Sequence, residues 1–246
     1  MAEQVRGEEP ALLADFDALY QGKGATIGVD GPRLDVIPWQ LDGPQPIIAE
    51  LADAGEIVGP VLECGCGLGE NALFLADRGY QVTAFDAAPT AIEQDRAKAA
   101  TRGLTVDFRV ADATVLDGID GGYRTVVDSA MMHCLTDEQR RAYLAALARV
   151  CEPDARLHIL SFPADLGFPM PGHLDEASLR RDIDDQGWRV ERVVRRQYTT
   201  GMSRASWQKQ IPPEFANLLP DLESSFGVDD QGRVLLPIWQ ITARRA

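Results

Sequence analysis

Two cysteines, three glycines and two glutamates crowd into residues 61–70, VLECGCGLGE. Three chemistries could use such a stretch. Cys64 and Cys66 stand one residue apart and could clip a metal. Gly65, Gly67 and Gly69 could let a ligand approach the backbone closely. Glu63 and Glu70 could hold a positive charge. Metal is disfavoured, because C-x-C without a second pair is not a zinc framework, and the thiols are expected to fill tight space beside the loop. A dinucleotide loop needs G-x-G-x-x-G, whereas here the run is G-x-G-x-G with Glu70 in the sixth place. Charge opposes a pyrophosphate as well. Like charges about 5 Å apart at an effective dielectric of about 20 cost roughly 3 kcal/mol. A ligand that is positive at this spot gains instead.

Other residues could do chemistry further along. Asp86 lies 23 residues after Glu63. A carboxylate there can accept both hydroxyls of a ribose. His133 follows Asp128 by five residues and could act as a general base on a hydroxyl, amine or thiol. The alternative for His133 is an imidazole that only shapes a pocket. Cys134 beside it is a conceivable nucleophile. His158 falls mid-strand and reads as a core residue, and His173 has no assigned role. Trp39, Trp207 and Tyr20 could wall a ligand or serve as plain core.

The elements that must position these residues alternate. From Val58 onward, strands (VLEC, YQVTAFD, LTVDFRVAD, YRTVVDSA, ARLHILSF) exchange with helices (NALFLADRG, PTAIEQDRAKAATRG, TDEQRRAYLAALARVC, DEASLRRDIDDQG). Such alternation implies βαβ units, a parallel sheet and right-handed crossovers. Thr136 is the expected cap of the third of these helices. Upstream, residues 9–20 have helical spacing, and a helix before Gly55 follows PWQLDGPQP. Two late strands, WRVERVVRRQY and RVLLPIWQITARR, flank an irregular stretch at 200–232. A loop of that length usually serves function, often as a lid. The RRQY run at 195–198 reads as a solvated strand end.

S-adenosylmethionine meets the charge requirement of the loop, since it carries a sulfonium and an ammonium and no phosphate. ECGCGLG resembles the E-x-G-x-G-x-G signature of class I S-adenosylmethionine-dependent methyltransferases. The resemblance implies that Glu63, Gly65, Gly67, Gly69, Asp86 and Ala87 contact the cofactor. It further implies that Asp112 accepts from the adenine amino group, that the Ala113 backbone faces the ring, and that Asp128 opens the motif under the transferred methyl. PWQLDGPQP is similar to a stretch in the thiopurine and tellurite-resistance methyltransferases, which gives Trp39 a place beside the cofactor. DSAMMHCLTDEQRRAYLAALARV is similar to actinobacterial small-molecule methyltransferases, including mycobacterial enzymes that methylate heterocyclic toxins. The resemblance covers roughly 36–198. Many relatives have RPGG before the fifth strand, where this chain has CEPDA, and Asp154 can take up the left-handed conformation such a turn requires.

The expected fold is therefore a Rossmann-like, doubly wound α/β domain with a seven-stranded, mostly parallel sheet and an antiparallel last strand. Residues 1–38 would form an N-terminal cover and 200–232 a lid-like insert on one domain spanning 1–246. The expected function is methyl transfer from S-adenosyl-L-methionine to an O, N or S atom of a small aromatic or heterocyclic molecule, with detoxification of a heterocyclic toxin as one role. His133 is the catalytic candidate, and Tyr20, His133 and Trp207 are substrate-side candidates; no metal is expected. A nicotinamide oxidoreductase and a non-catalytic cofactor-binding module are the alternatives.

Composition agrees with this class. The chain has 246 residues, enough for one α/β domain, and its 45% hydrophobic and 25% charged residues are those of a globular protein. Asp and Glu outnumber Lys and Arg 38 to 24, for a net charge of -14. Such a field repels nucleic acid and anionic lipid. No export signal or transmembrane run is read, and four cysteines suit a reducing cytoplasm. The partner is expected to be a small methyl acceptor, bound by a monomer or homodimer.

Overall fold

The computed structural model describes residues 15–26, 33–166, 174–210 and 226–246. The N-terminal part contains α1 (Phe16–Tyr20), a two-stranded ribbon of β1 (Ala25–Thr26) and β2 (Arg33–Leu34), and α2 (Pro46–Asp53). The alternating part runs β3 (Val61–Cys64), α3 (Glu70–Asp77), β4 (Val82–Asp86), α4 (Pro89–Arg102), β5 (Asp107–Val110) and β6 (Tyr123–Ser129). A 3-10 turn (Met132–Cys134) leads to α5 (Asp137–Val150), β7 (Cys151–Ser161), α6 (Glu176–Asp184) and β8 (Trp188–Ser203). Then come α7 (Arg204–Gln210), β9 (Gly227–Val228) and β10 (Arg233–Arg245).

Local chemistry explains most boundaries. Pro46 and Pro89 open α2 and α4 at positions where a helix needs no backbone donor. Thr136 caps α5 in a reciprocal box: its hydroxyl accepts from Gln139 N while the Gln139 side chain accepts from Thr136 N. Asp175 caps α6 through Ser178 N at 2.8 Å. Asp154 has φ of 61°, so the turn survives without the glycines. It sits in a bulge, where Tyr123 faces Cys151 but Thr125 faces Arg156.

The main sheet has the order β5-β4-β3-β6-β7-β10-β8. The pairs from β5 across to β7 are parallel, and β10 is antiparallel to both β7 and β8. The seven expected strands are present, and the last is antiparallel. A short eighth strand, β9, is added against β10. Residues 200–232 are only partly irregular. Positions 200–203 continue β8, α7 follows, β9 occupies 227–228, and 211–225 lie outside the described residues. Of the expected 9–20 helix, the described part is α1; the rest lies outside, as does His173.

Strand parity divides the core. Leu62, Val126, Leu157 and Ile159 face α5 and α6, with Tyr143, Leu147 and Ile183. Val61, Val127 and Leu160 face α2, α3 and α4, with Ile48, Leu73 and Ile92. Each such fully buried aliphatic contributes about 1.5–3 kcal/mol of transfer free energy. His158 is a core residue as expected: it meets Glu56 O at 3.2 Å and Thr242 Oγ1 at 3.4 Å, and burial holds its pKa down at about 4.

Candidate functional site

The registers bring strand ends level. Cys64 of β3 pairs with Phe85 of β4 and with Asp128 of β6, and Asp86 pairs with Val110 of β5. The chain winds one way from β3 to β5 and the other way from β6 to β7, so a crevice opens at the carboxyl ends of β3 and β6.

The glycine loop fills the mouth of this crevice. Gly65, Gly67 and Gly69 have φ of 59°, 55° and 70°, where a side chain is strained. Space forbids one too. A Cβ on Gly65 would collide with the Met131 side chain, and one on Gly67 would lie 2.9 Å from Tyr20 Oη. At Gly69 it would meet Asp95 Cγ at 2.8 Å. The loop therefore packs against the segment after β6, the N-terminal cover and α4 at once.

Four buried carboxyls surround it. Glu63 is 1% exposed; its Oε1 accepts from Asn71 Nδ2 at 3.0 Å, and its Oε2 has no hydrogen-bond partner. Burial pushes its pKa up to about 8, with Asp95 and Asp86 adding to the rise. Asp95 lies under Gly69, where burial pushes it up to about 7 against the pull of Lys98. Asp86 accepts from Gly67 N at 2.8 Å and Ala88 N at 2.9 Å, so it pins the loop; burial raises its pKa. Asp128 faces the other way. Its Oδ1 accepts from Met131 N at 2.9 Å, its Oδ2 accepts from Tyr143 Oη at 2.9 Å, and burial lifts it to about 6. Asp128 thus shapes the turn after β6 rather than lining the crevice. Asp112 and Ala87 are exposed and Ala113 is half-buried at the ends of β5 and β4. Asp112 Oδ1 closes a turn by accepting from Thr114 N at 2.8 Å.

The cover reaches the loop through Tyr20 and Trp39. Trp39 Nε1 donates to Tyr20 Oη at 3.2 Å, and both rings pack with Leu68, Ala88 and Ala91. Two residues that the sequence reading passed over hold this arrangement. Asp17 Oδ1 accepts from Thr90 N at 2.8 Å, capping α4 from across the chain. Its pKa is lowered, chiefly by that backbone bond. Gly201 N donates to Pro38 O at 2.8 Å, and a Cβ on Gly201 would collide with the Gln40 carbonyl. The stretch around Trp39 is thereby stitched to β8. Gln45 adds a second stitch, Nε2 to Thr199 O at 2.7 Å.

A row of rings leads outward from the crevice. Arg195 and Gln197 are exposed, in line with the reading of 195–198 as solvated, but Tyr198 is 2% exposed and the strand does not end there. Tyr198 lies inside a 16-residue strand whose inner face packs on α2. Burial pushes its hydroxyl up to about 12. Phe162 stands edge-on to Tyr198 at 5.5 Å and to His133 at 5.0 Å. His133 is buried in the 3-10 turn. Trp207 is farther out, edge-on to Phe226 at 5.7 Å, and packs with Leu166 and Leu236. It anchors α7 to β10. Nothing local in the sequence marked Phe162 or Tyr198, since both are ordinary strand residues by pattern.

The cysteines are free thiols, Cys64, Cys66 and Cys151 buried and Cys134 half-buried. Burial raises Cys64 and Cys66 well above the usual thiol range and pushes Cys134 up to about 12, which suppresses the thiolate needed of a nucleophile. Among the described residues no cluster of three His, Cys, Asp or Glu could hold a metal. A partnerless buried carboxylate oxygen and neighbouring acids suit a cationic ligand and oppose a pyrophosphate, so the residues fit S-adenosylmethionine.

Comparison with known proteins points the same way. Residues 61–154 match the methyltransferase domain family. The chain is 39% identical over 184 residues to the 2-heptyl-1-hydroxyquinolin-4(1H)-one methyltransferase of Mycobacteroides abscessus, covering 72% of this chain and 78% of that one. A solved structure described as the conversion of a disulfide bond into a thioacetal group during echinomycin biosynthesis superposes with a TM-score of 0.72 at 32% identity. That alignment covers 94% of this chain and 91% of the other. The magnesium protoporphyrin IX methyltransferase of Synechocystis PCC 6803 with bound cofactor shares the fold, with a TM-score of 0.54 at 19% identity over 81% of this chain and 76% of that one.

Proposed function

Because the chain belongs to the class I S-adenosylmethionine-dependent methyltransferases, we propose that it methylates a hydroxyl or other nucleophilic atom on a small planar heterocycle. The observation that carries this reading is the row of buried Tyr198, half-buried Phe162 and buried His133, which starts at the crevice and would offer edges and faces to a flat, apolar acceptor. The hydroxyquinolone acted on by the mycobacterial relative has that shape, which supports the assignment.

When bound, the cofactor supplies an electrophilic methyl on a sulfonium. The residues of this chain divide the remaining work. Glu63, Gly65, Gly67 and Gly69 would hold the amino-acid portion, Asp86 and Ala87 the ribose, and Asp112 and Ala113 the adenine. Trp39 and Tyr20 exclude water from above the loop. Asp128 fixes the turn that carries His133. His133 takes the acceptor's proton when the acceptor is a hydroxyl of high pKa, and otherwise shapes the pocket. Holding the acceptor in line at near-attack distance supplies most of the acceleration. Of the expected lid, 200–203 belong to β8, so the lid role falls to α7 and the described part of the N-terminal cover. O-methylation removes an acidic donor from such a heterocycle, so detoxification is the role assigned here.

The test is a screen of hydroxyquinolones, phenols, thiols and heterocyclic amines with labelled methyl donor. Turnover of the hydroxylated heterocycles above the other classes is expected. Preference for aliphatic or macromolecular acceptors would overturn the proposal.

A further inference from the structure

His133 sits in a turn that its own backbone does not favour. Ala130 enters the turn at φ of 75°, a left-handed conformation that strains any residue with a Cβ and persists where surrounding bonds impose it. The turn is closed by Cys134 N donating to Met131 O at 2.9 Å and Leu135 N donating to Met132 O at 3.1 Å. The bonds that impose its position come from α5.

Tyr143 and Arg140 stand one turn apart on that helix, and both are fully buried. Tyr143 Oη donates to Asp128 Oδ2 at 2.9 Å. Asp128 Oδ1 in turn accepts from Met131 N at 2.9 Å and Met132 N at 3.3 Å, just before His133. Burial and Asp128 push the Tyr143 hydroxyl well above its usual pKa, so it stays a donor. Arg140 works on the other end: its Nη1 donates to Leu135 O at 2.8 Å, just after His133. Its Nη2 donates to Asp137, and its Nε lies 3.5 Å from Asp182 of α6. These two carboxylates offset the burial of the guanidinium charge and fix the plane of the fork that reaches Leu135. The start of α6 is tied in as well, since Leu174 O accepts from Ala164 N at 3.3 Å, two residues past Phe162.

We propose that Tyr143 and Arg140 are positioning residues for methyl transfer, clamping the turn at both ends so that the His133 imidazole is held at the acceptor. Both act through the turn, from the α5 side of the sheet. This inference rests on the proposed removal of the acceptor's proton by His133.

The test uses the full chain and two hydroxylated heterocycles, one with a hydroxyl pKa above the assay pH and one already ionised. Tyr143→Phe and Arg140→Lys should lower kcat/KM about 10–100-fold on the first, the scale of a misplaced catalytic group, and by no more than about threefold on the second. Arg140→Lys keeps the charge but not the fork. Tyr143→Phe removes a single hydroxyl and carries the test if Arg140→Lys fails to fold. The chain has three histidines, so their ring resonances can be followed separately in histidine-labelled protein. The His133 resonance should shift in both variants and that of buried His158 should not. Val150→Ala, at the far end of α5, should lower the melting temperature and leave the ratio between the two acceptors unchanged. Equal losses on both acceptors, an unmoved His133 resonance, or the same change of ratio in Val150→Ala would make Tyr143 and Arg140 props of the fold and overturn the proposal. A large loss in His133→Gln beside none in the clamp variants overturns the clamp alone. No loss in His133→Gln on the first acceptor removes the base and the clamp together.

Discussion

Replacing Glu63 by Gln should change how the stability of the free protein depends on pH. Glu63 is fully buried, with one oxygen on Asn71 and the other without a partner. Burial raises its pKa from 4.5 to about 8, and Asp95 and Asp86 push in the same direction. A raised carboxyl pKa means that the folded state keeps a proton the unfolded chain has released. The contribution of Glu63 is thus most favourable below the unfolded pKa and is lost as pH rises towards 8. At about 1.36 kcal/mol per unit, the whole loss is about 5 kcal/mol, of which about 2.5 kcal/mol falls between pH 5 and 7. Gln mimics the protonated form and can still accept from Asn71. Glu63→Gln should match wild type near pH 5 and exceed it by about 2.5 kcal/mol at pH 7. Asp95, shifted to about 7, and Asp128, shifted to about 6, titrate in both proteins and largely cancel in the difference. Urea midpoints measured from pH 5 to 8 without cofactor supply the assay. A bound cation favours the ionised carboxylate, so cofactor should flatten the wild-type curve and bind the variant more weakly. Parallel stability curves for the two proteins would refute the claim that Glu63 is held protonated by burial.

Other perturbations have equally definite outcomes. Asp86→Ala should weaken cofactor binding by about 1.5–3 kcal/mol in calorimetry, because it removes the acceptor that holds Gly67 N and the carboxylate proposed to meet the ribose; unchanged affinity would take Asp86 out of the site. Gly201→Ala should destabilise the fold by about 1–3 kcal/mol in thermal unfolding, since its methyl meets the Gln40 carbonyl, and an unshifted melt would contradict that close approach. Asp17→Ala should speed hydrogen exchange in α1 and in the first turn of α4 with little effect on the sheet; no change would mean that the Thr90 bond does not hold the cover. His133→Gln should lower turnover about 10²–10⁴-fold on a hydroxyl of high pKa and erase the acidic limb of the pH profile, with cofactor affinity unaltered. A variant within threefold of wild type on such a substrate would leave His133 as a pocket wall.

What the sequence determined by itself was whatever depends on neighbours within a turn or two. Glycine spacing in ECGCGLG, the Thr136 cap, the proline starts of α2 and α4 and the tolerance of Asp154 for positive φ are local steric and hydrogen-bonding facts. Alternation of strand and helix then implied a parallel sheet, and the chirality of crossovers left few topologies. Acids at strand ends were visible for the same reason. Tertiary structure decided which way each acid points. Asp128 and Ser129 are adjacent in sequence, yet parity sends one to Tyr143 of α5 and the other to the cavity beside Glu63. Which face receives which helix is fixed by global packing, so a strand-end acid can be identified without its partner being known. The cover was even less legible. Gln45 meets Thr199, Asp17 meets Thr90 and Gly201 meets Pro38, contacts between residues 154, 73 and 163 positions apart. No periodicity or turn rule relates such positions, because their energy exists only after the sheet has brought β8 and α4 beside the N-terminal segment.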